Sequence, residues 1–186
     1  IAIALGKAGL EPAKQLLASY PANCPPTVLV VDAEADHVER AIVAMQGSLA
    51  CQVEKAVEGF ALTPGRVYLA FEKERHTIIE AGDPPRLRMV SRDPVAGVRP
   101  SADLLLGSIA RAGIPAIGGL LVGNGADGAK GLQILSAAGY LIFVQTPANH
   151  APRERFEAVR SLGLDADEVT VDMLGPWVLD RTLAES

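Results

Sequence analysis

The chain has 186 residues, 49% of them hydrophobic and only 4% aromatic. A chain of this length buries about 70% of the surface it would expose unfolded, so one core is sustained without disulfides or metals. Its 22 acidic and 17 basic residues leave a formal net charge of -5 with no basic cluster, which speaks against a nucleic-acid partner, and no apolar run reaches the roughly 20 residues that would insert in a membrane.

The opening "IAIALGKAGLEPAKQLLASYP" reads as a short buried strand, a glycine turn and a helix with Pro12 in its first turn, where a missing N–H is harmless. Its first residue is Ile1 and already lies in an apolar run, so residues 1–186 are expected to be one domain cut from a longer chain. "TVLVVDAEADHVERAIVAMQG" repeats the grammar, with Val28 to Val31 as the strand and Val38, Ile42, Val43 and Met45 as one helix face. Strands apolar throughout are covered on both faces, which predicts a parallel sheet. The stretches "ALTPGRVYLAF" and "HTIIEAGDPPRLRMVS", with turns at Pro64-Gly65 and Asp83-Pro84-Pro85, predict an antiparallel insert. Next come an irregular loop and a helix "SADLLLGSIARAG", with Ser101 as N-cap and Asp103 in its first turn. Strand "AIGGLLV", helix "GAKGLQILSAAG", strand "YLIFVQ", helix "RERFEAVRSLG", strand "EVTV" and a terminal helix around Leu174 to Leu183 complete the order. Alternation of this kind predicts an α/β fold: a doubly wound, mostly parallel sheet with helices on both faces and a small antiparallel insert.

Cys24 and Cys51 form no Cys-x-x-Cys pair and neighbour no histidine, so neither a disulfide framework nor a zinc site is expected, and a reducing cytoplasm is the compartment that fits. Gly123 to Gly128, "GNGADG", matches the glycine fingerprint G-x-G-x-x-G. A dinucleotide site would also need an acidic residue at the end of the next strand, where Val144 to Ala148 offer none, and Asp127 would repel a phosphate. The first turn has the reverse defect: Asp32 ends the second strand, but only Gly6 and Gly9 are present. A nucleotide or small ligand at either turn is one reading; a turn that presents Asp127, or lets it cap the helix that follows, is another.

Taken in order, "IAIALGKAGLEPAKQLL", "PPTVLVVDAEAD", "LTPGRVYLAFEKERHTII", "VRPSADLLLGSIA" and "LLVGNGADGAKGLQILSAAGY" resemble the catalytic domain of the chemotaxis receptor methylesterase family, CheB, from Ile1 to about Gln145. The resemblance implies a hydrolase-like α/β domain, often fused to an N-terminal phosphorylation-receiving domain. Its implied activity is hydrolysis of glutamyl methyl esters and deamidation of glutamine on chemoreceptor helices, without a cofactor or metal. That chemistry needs a serine nucleophile, a histidine base and an orienting carboxylate. Laid on the family pattern, Gly6 takes the serine position and Ala33 the histidine position, Asp127 matches the aspartate, and Asn124 replaces a methionine associated with the oxyanion site. The Gly-Met-Pro turn before the penultimate helix is missing from "ANHAPRERFEAVRS".

No Ser, Thr or Cys lies between Ile1 and Ala18. His37, one helical turn beyond Ala33, is the candidate substitute base, and Lys7 and Arg99 join Gly6, Ala33, Asn124 and Asp127 as candidate cleft residues. Arg99 has a second reading, pairing with Asp103 or another acid to hold its loop. His76 reads as a surface or structural histidine rather than a catalyst, and Trp177 as a packing anchor. Three functions follow: a degenerate methylesterase-like domain acting as a binding or regulatory module on a chemoreceptor or other chemosensory protein; a working methylesterase and deamidase with relocated groups; or a nucleotide- or small-ligand-binding domain.

Overall fold

The computed structural model describes residues 1–184. β1 (Ala2–Gly6) is buried along its whole length, and its alternate residues enter two different cores: Ile3 and Leu5 on one face, Ala2 and Ala4 on the other. β2 (Thr27–Asp32) divides in the same way, with Leu29 and Val31 opposite in direction to Val28 and Val30. This two-sided burial is why both read as unbroken apolar runs. The two strands pair in parallel with Ile3 beside Leu29 and Gly6 beside Asp32, while β7 (Ile117–Leu120) pairs with the other edge of β1.

With β3 (Gln52–Lys55), β4 (Arg66–Ala70), β8 (Leu141–Gln145) and β9 (Asp167–Val169), the seven-stranded sheet has the order β3-β4-β2-β1-β7-β8-β9, and every pairing is parallel. One face is covered by α1 (Leu10–Ala18), α2 (Ala35–Gln46) and α6 (Leu174–Ala184), through residues such as Leu16, Ile42 and Val178. The other is covered by α3 (Ala102–Ala112), α4 (Ala129–Ala137) and α5 (Glu154–Ser161), through Leu106, Leu132 and Phe156. The hairpin β5 (His76–Glu80) and β6 (Arg86–Val90) lies on that second face, its Ile79 and Leu87 buried against the same core. Among the described residues, no helix is long and apolar enough to cross a membrane.

Two local expectations are corrected, and one strand had not been expected. The segment "RVYLA" is β4 of the main parallel sheet and no part of an antiparallel insert; that insert is the β5–β6 hairpin, which the stretch before β4 joins through an isolated antiparallel bridge of Ala61 to Arg86. Its apolar run carries the same two-faced signature as β1 and β2, and the Pro64-Gly65 turn leads into a parallel neighbour of β2. β3, with Val53 as its one buried side chain, is an edge strand too polar to stand out in sequence. Val43 is 71% exposed, because it lies about 100° around α2 from Ile42 and so turns away from the core.

Trp177 is the anchor of α6. Its ring sits 4.9 Å from that of Phe143, its Nε1 donates to Asp167 at 2.8 Å, and the Arg181 guanidinium lies 4.1 Å over its face. Burying a large apolar side chain of this kind contributes about 1.5–3 kcal/mol.

Candidate functional site

β1 lies between β2 and β7, so the chain winds outward in both directions from it, and the crevice beyond the carboxyl ends of β1 and β7 is where a doubly wound sheet takes a ligand. A cleft of about 440 Å³ opens there. Gly6, Lys7 and Ala8 line it from the end of β1, Asp32 from the end of β2, Gly123 and Asn124 from the turn after β7, and Pro152 from the approach to α5.

The cleft floor is two backbones in close approach. Gly6 N–H donates to Val122 O at 3.2 Å, and a Cβ added at Gly6 would lie 3.0 Å from the Cα of Gly123. A Cβ at Gly123 would in turn lie 2.6 Å from Nε of Arg155 and 2.8 Å from the nitrogen of Gly6. Any side chain at either position must therefore displace backbone or a buried guanidinium. Gln145 holds the start of the turn, its Oε1 accepting the Val122 N–H at 3.1 Å.

The turn Gly123 to Gly128 brings Asp127 back toward α3. One carboxylate oxygen accepts from Ser101 Oγ at 2.8 Å and from Asp103 N–H at 3.3 Å, and the other accepts the Ala102 N–H at 2.7 Å. Asp127 thus caps α3, the preceding helix, and not the following one, as the sequence had suggested. The cap of α4 comes from Asp103, whose Oδ1 accepts the N–H groups of Gly128 at 3.0 Å and Gly131 at 2.7 Å. Ser101 sits at the N-cap position but its side chain caps nothing; it donates to Asp127 instead. Each carboxylate satisfies orphan amides at the positive end of a helix. Burial pushes the Asp103 carboxyl above its ordinary value, the Gly131 N–H opposes that, and the nearby Asp127 charge adds to it.

Of the residues singled out in the sequence, Gly6, Lys7 and Asn124 meet at the cleft, with Lys7 and Asn124 exposed at its rim. Ala33 does not line it: the methyl is only 8% exposed and packs in the core with Leu5 and Val31, beneath α1 and α2. His37 is half-buried in the first turn of α2 and is likewise not a lining residue. Among the described residues, Arg99 forms no ion pair with Asp103 or another acid. Its Nε donates to Lys73 O and its Nη1 to Arg92 O at 3.1 Å, which makes it a clamp on the loop before α3. His76 is fully buried, accepting the Ser101 N–H at Nδ1 and reaching Asp93 O with Nε2, both at 3.0 Å, so its place is structural.

Two participants escaped the sequence reading. Lys73 pairs with Asp32 across the cleft rim at 2.9 Å. Arg155, on α5, is 2% exposed; its Nη1 donates to Asp127 O at 2.9 Å, and its Nε has no partner. Burial pulls this guanidinium below its ordinary value, opposed by the charges of Asp127, Asp32 and Asp103 in that order. Arg155, Phe156 and Val159 are the buried residues of α5, and Arg155 lies one helical turn before Val159, but that spacing alone does not tell a buried arginine from a solvated one.

A doubly wound parallel domain with a glycine-floored crevice at its strand-order reversal belongs to a broad class of α/β ligand-handling folds. The family is narrower: the CheB methylesterase model matches residues 1–175, and the chain belongs to the CheB methylesterase family. A protein-glutamate methylesterase/protein-glutamine glutaminase of Caulobacter vibrioides is 34% identical over 99% of this chain and 54% of its own length. One of the same description from Agrobacterium fabrum is 39% identical over 99% of this chain and 53% of its own. The chain thus spans about half the length of the curated relatives it matches. In fold it is similar to the crystal structure of the Thermotoga maritima CheB methylesterase catalytic domain, with a TM-score of 0.88, 21% identity and 96% of each chain covered.

Proposed function

We propose that residues 1–186 form one CheB-type domain that has lost ester hydrolysis and acts as a binding or regulatory module in a chemosensory pathway. Its partner in this reading is a chemoreceptor or another signalling protein, its compartment the cytoplasm, and a receiver domain of the full-length protein its regulator. The observation that carries the reading is the composition of the cleft wall. Gly6, Lys7, Ala8, Asp32, Gly123, Asn124 and Pro152 include no hydroxyl, thiol or imidazole. Gly6 and Ala33 stand where the family resemblance puts nucleophile and base, and Asp127, at the acid position, spends both oxygens on α3. In a serine hydrolase, loss of nucleophile or base lowers turnover by about a millionfold, and what remains is about 10³ to 10⁴ over water. Incubation with a methylated receptor, with methanol as the readout, tests the reading: none is expected, and catalytic release overturns it.

A further inference from the structure

Cys24 and Cys51, the two cysteines of the chain, are far apart in sequence and adjacent in the fold. Cys24 lies in the loop that enters β2 and Cys51 immediately before β3, so both sit at the amino ends of the strands, the opposite end of the sheet from the cleft. Gly65 ties their backbones together: its N–H donates to Cys24 O at 2.7 Å, and its carbonyl accepts the N–H of Gln52, the neighbour of Cys51, at 2.8 Å. Glycine suits that junction, because its φ is +83° and a Cβ there would lie 2.5 Å from Ala22 O. Both thiols are reduced and belong to the core that holds Tyr20, Met45 and Val53, and the Cys24 thiol donates a hydrogen bond to the Cys51 sulfur.

That bond makes the pair unequal. It pulls the Cys51 thiol below its ordinary value, with burial opposing and the Cys51 backbone N–H assisting. It pushes the Cys24 thiol above its own, and burial adds to the effect. The thiolate is the reacting form of cysteine, so Cys51 is the sulfur that an oxidant attacks first. Cys51 is also the nearer to solvent: it lines a surface cleft of about 310 Å³ with Gln46, Leu49 and Gln52, and its neighbours Ala50 and Gln52 are exposed, whereas Cys24 is sealed. A small oxidant reaches it from that cleft as the edge opens, since β3 is a four-residue edge strand held on one side by β4 and such edges open locally at less than the cost of unfolding.

We propose that Cys51 and Cys24 form a reversible thiol–disulfide pair, in which a peroxide oxidises Cys51 and Cys24 resolves the product. The Cys51 thiolate attacks one oxygen of hydrogen peroxide and the O–O bond breaks, which gives a sulfenic acid and releases hydroxide. The Cys24 sulfur then attacks the Cys51 sulfur, the S–O bond breaks, and the departing oxygen leaves as water with the Cys24 proton. Two electrons pass from the sulfurs to the peroxide. The disulfide closes a loop that contains β2 and α2, and it pins the edge strand to the entry of β2. In a reducing compartment such a bond is transient and reports exposure to oxidant. The inference does not depend on whether the domain hydrolyses esters.

The test treats the folded protein with a few equivalents of hydrogen peroxide, alkylates the remaining thiols and digests with trypsin without reduction. Cys24 and Cys51 fall in different tryptic peptides, residues 15–40 and 41–55. These two are expected to be recovered joined, from a monomer lighter by the mass of two hydrogens, and dithiothreitol is expected to part them. Cys24→Ala should halt the reaction at the Cys51 sulfenic acid, captured by dimedone, and Cys51→Ala should leave the Cys24 thiol unreacted at the same dose. Should either variant fail to fold, the joined peptides of the unaltered protein and their separation by dithiothreitol decide alone. Two free thiols after exposure, a bridge between two molecules, or capture of the sulfenic acid at Cys24 overturns the inference.

Discussion

Asp127 and Asp103 cap each other's helices: Asp127, in the turn before α4, accepts the Ala102 N–H of α3 at 2.7 Å, and Asp103, in α3, accepts the Gly131 N–H of α4 at 2.7 Å. The exchange fixes the glycine turn to the start of α3. It also gives Asp127 a structural task that survives without any catalytic one. Loss of either cap is expected to destabilise the fold by about 0.5–2 kcal/mol, and the double variant should fall short of the sum because both changes loosen one contact. Urea unfolding of Asp127→Ala, Asp103→Ala and the pair measures this.

The same contact carries a pH signature. Burial raises the Asp103 carboxyl in the folded state, so the folded protein binds its proton more tightly than the unfolded chain does. The stability from this group is therefore fully present below the ordinary aspartate value and is lost as pH rises through the raised one. Asp103→Asn should flatten that segment of the stability profile, and the Asp103 carboxyl carbon should titrate above the usual range by NMR.

Restoring the missing groups is not expected to restore chemistry. A serine at position 6 places Cβ 3.0 Å from the Gly123 backbone, and a histidine at position 33 must enlarge a methyl packed in the core. Overpacking of this kind costs about 1–3 kcal/mol per site. Gly6→Ser with Ala33→His should melt at lower temperature than the unaltered chain and release no methanol from an ester peptide, which thermal unfolding and a methanol assay check together.

Arg155 should behave as a buried cation of mixed worth. Arg155→Met keeps much of the volume and removes a charge whose burial is unfavourable, whereas Arg155→Ala also opens a cavity beside Gly123. The alanine variant is expected to lose more stability than the methionine variant, as read from denaturant midpoints.

Trp177 is the sole tryptophan, so its fluorescence reports the docking of α6 on the sheet. Trp177→Ala should cost about 3–5 kcal/mol by loss of its packing on Phe143.

Strands buried on both faces were legible because such burial leaves a continuous apolar run, as in Val28 to Val31, and the helices followed from their periodic apolar faces. Edge strand β3 left no such mark, and β4 was assigned to the wrong sheet because a Pro-Gly turn beside a short run suits a hairpin equally well. At the site, Gly6, Lys7 and Asn124 could be placed together because the family resemblance sets the turns that carry them around one cleft. Arg155 could not: its role depends on α5 folding back over the Asp127 turn, a contact of sequence separation 28 that no local spacing encodes. The direction of capping was hidden for the same reason, since an aspartate before a helix signals its own N-terminus and not that of a helix 25 residues earlier.

Methanol release from a receptor peptide carrying a γ-glutamyl methyl ester, followed over time with the unaltered protein, tests the central claim most directly. The account predicts a rate no different from the protein-free control. Release that scales with protein concentration and disappears in His37→Ala would contradict it, and would assign the relocated base.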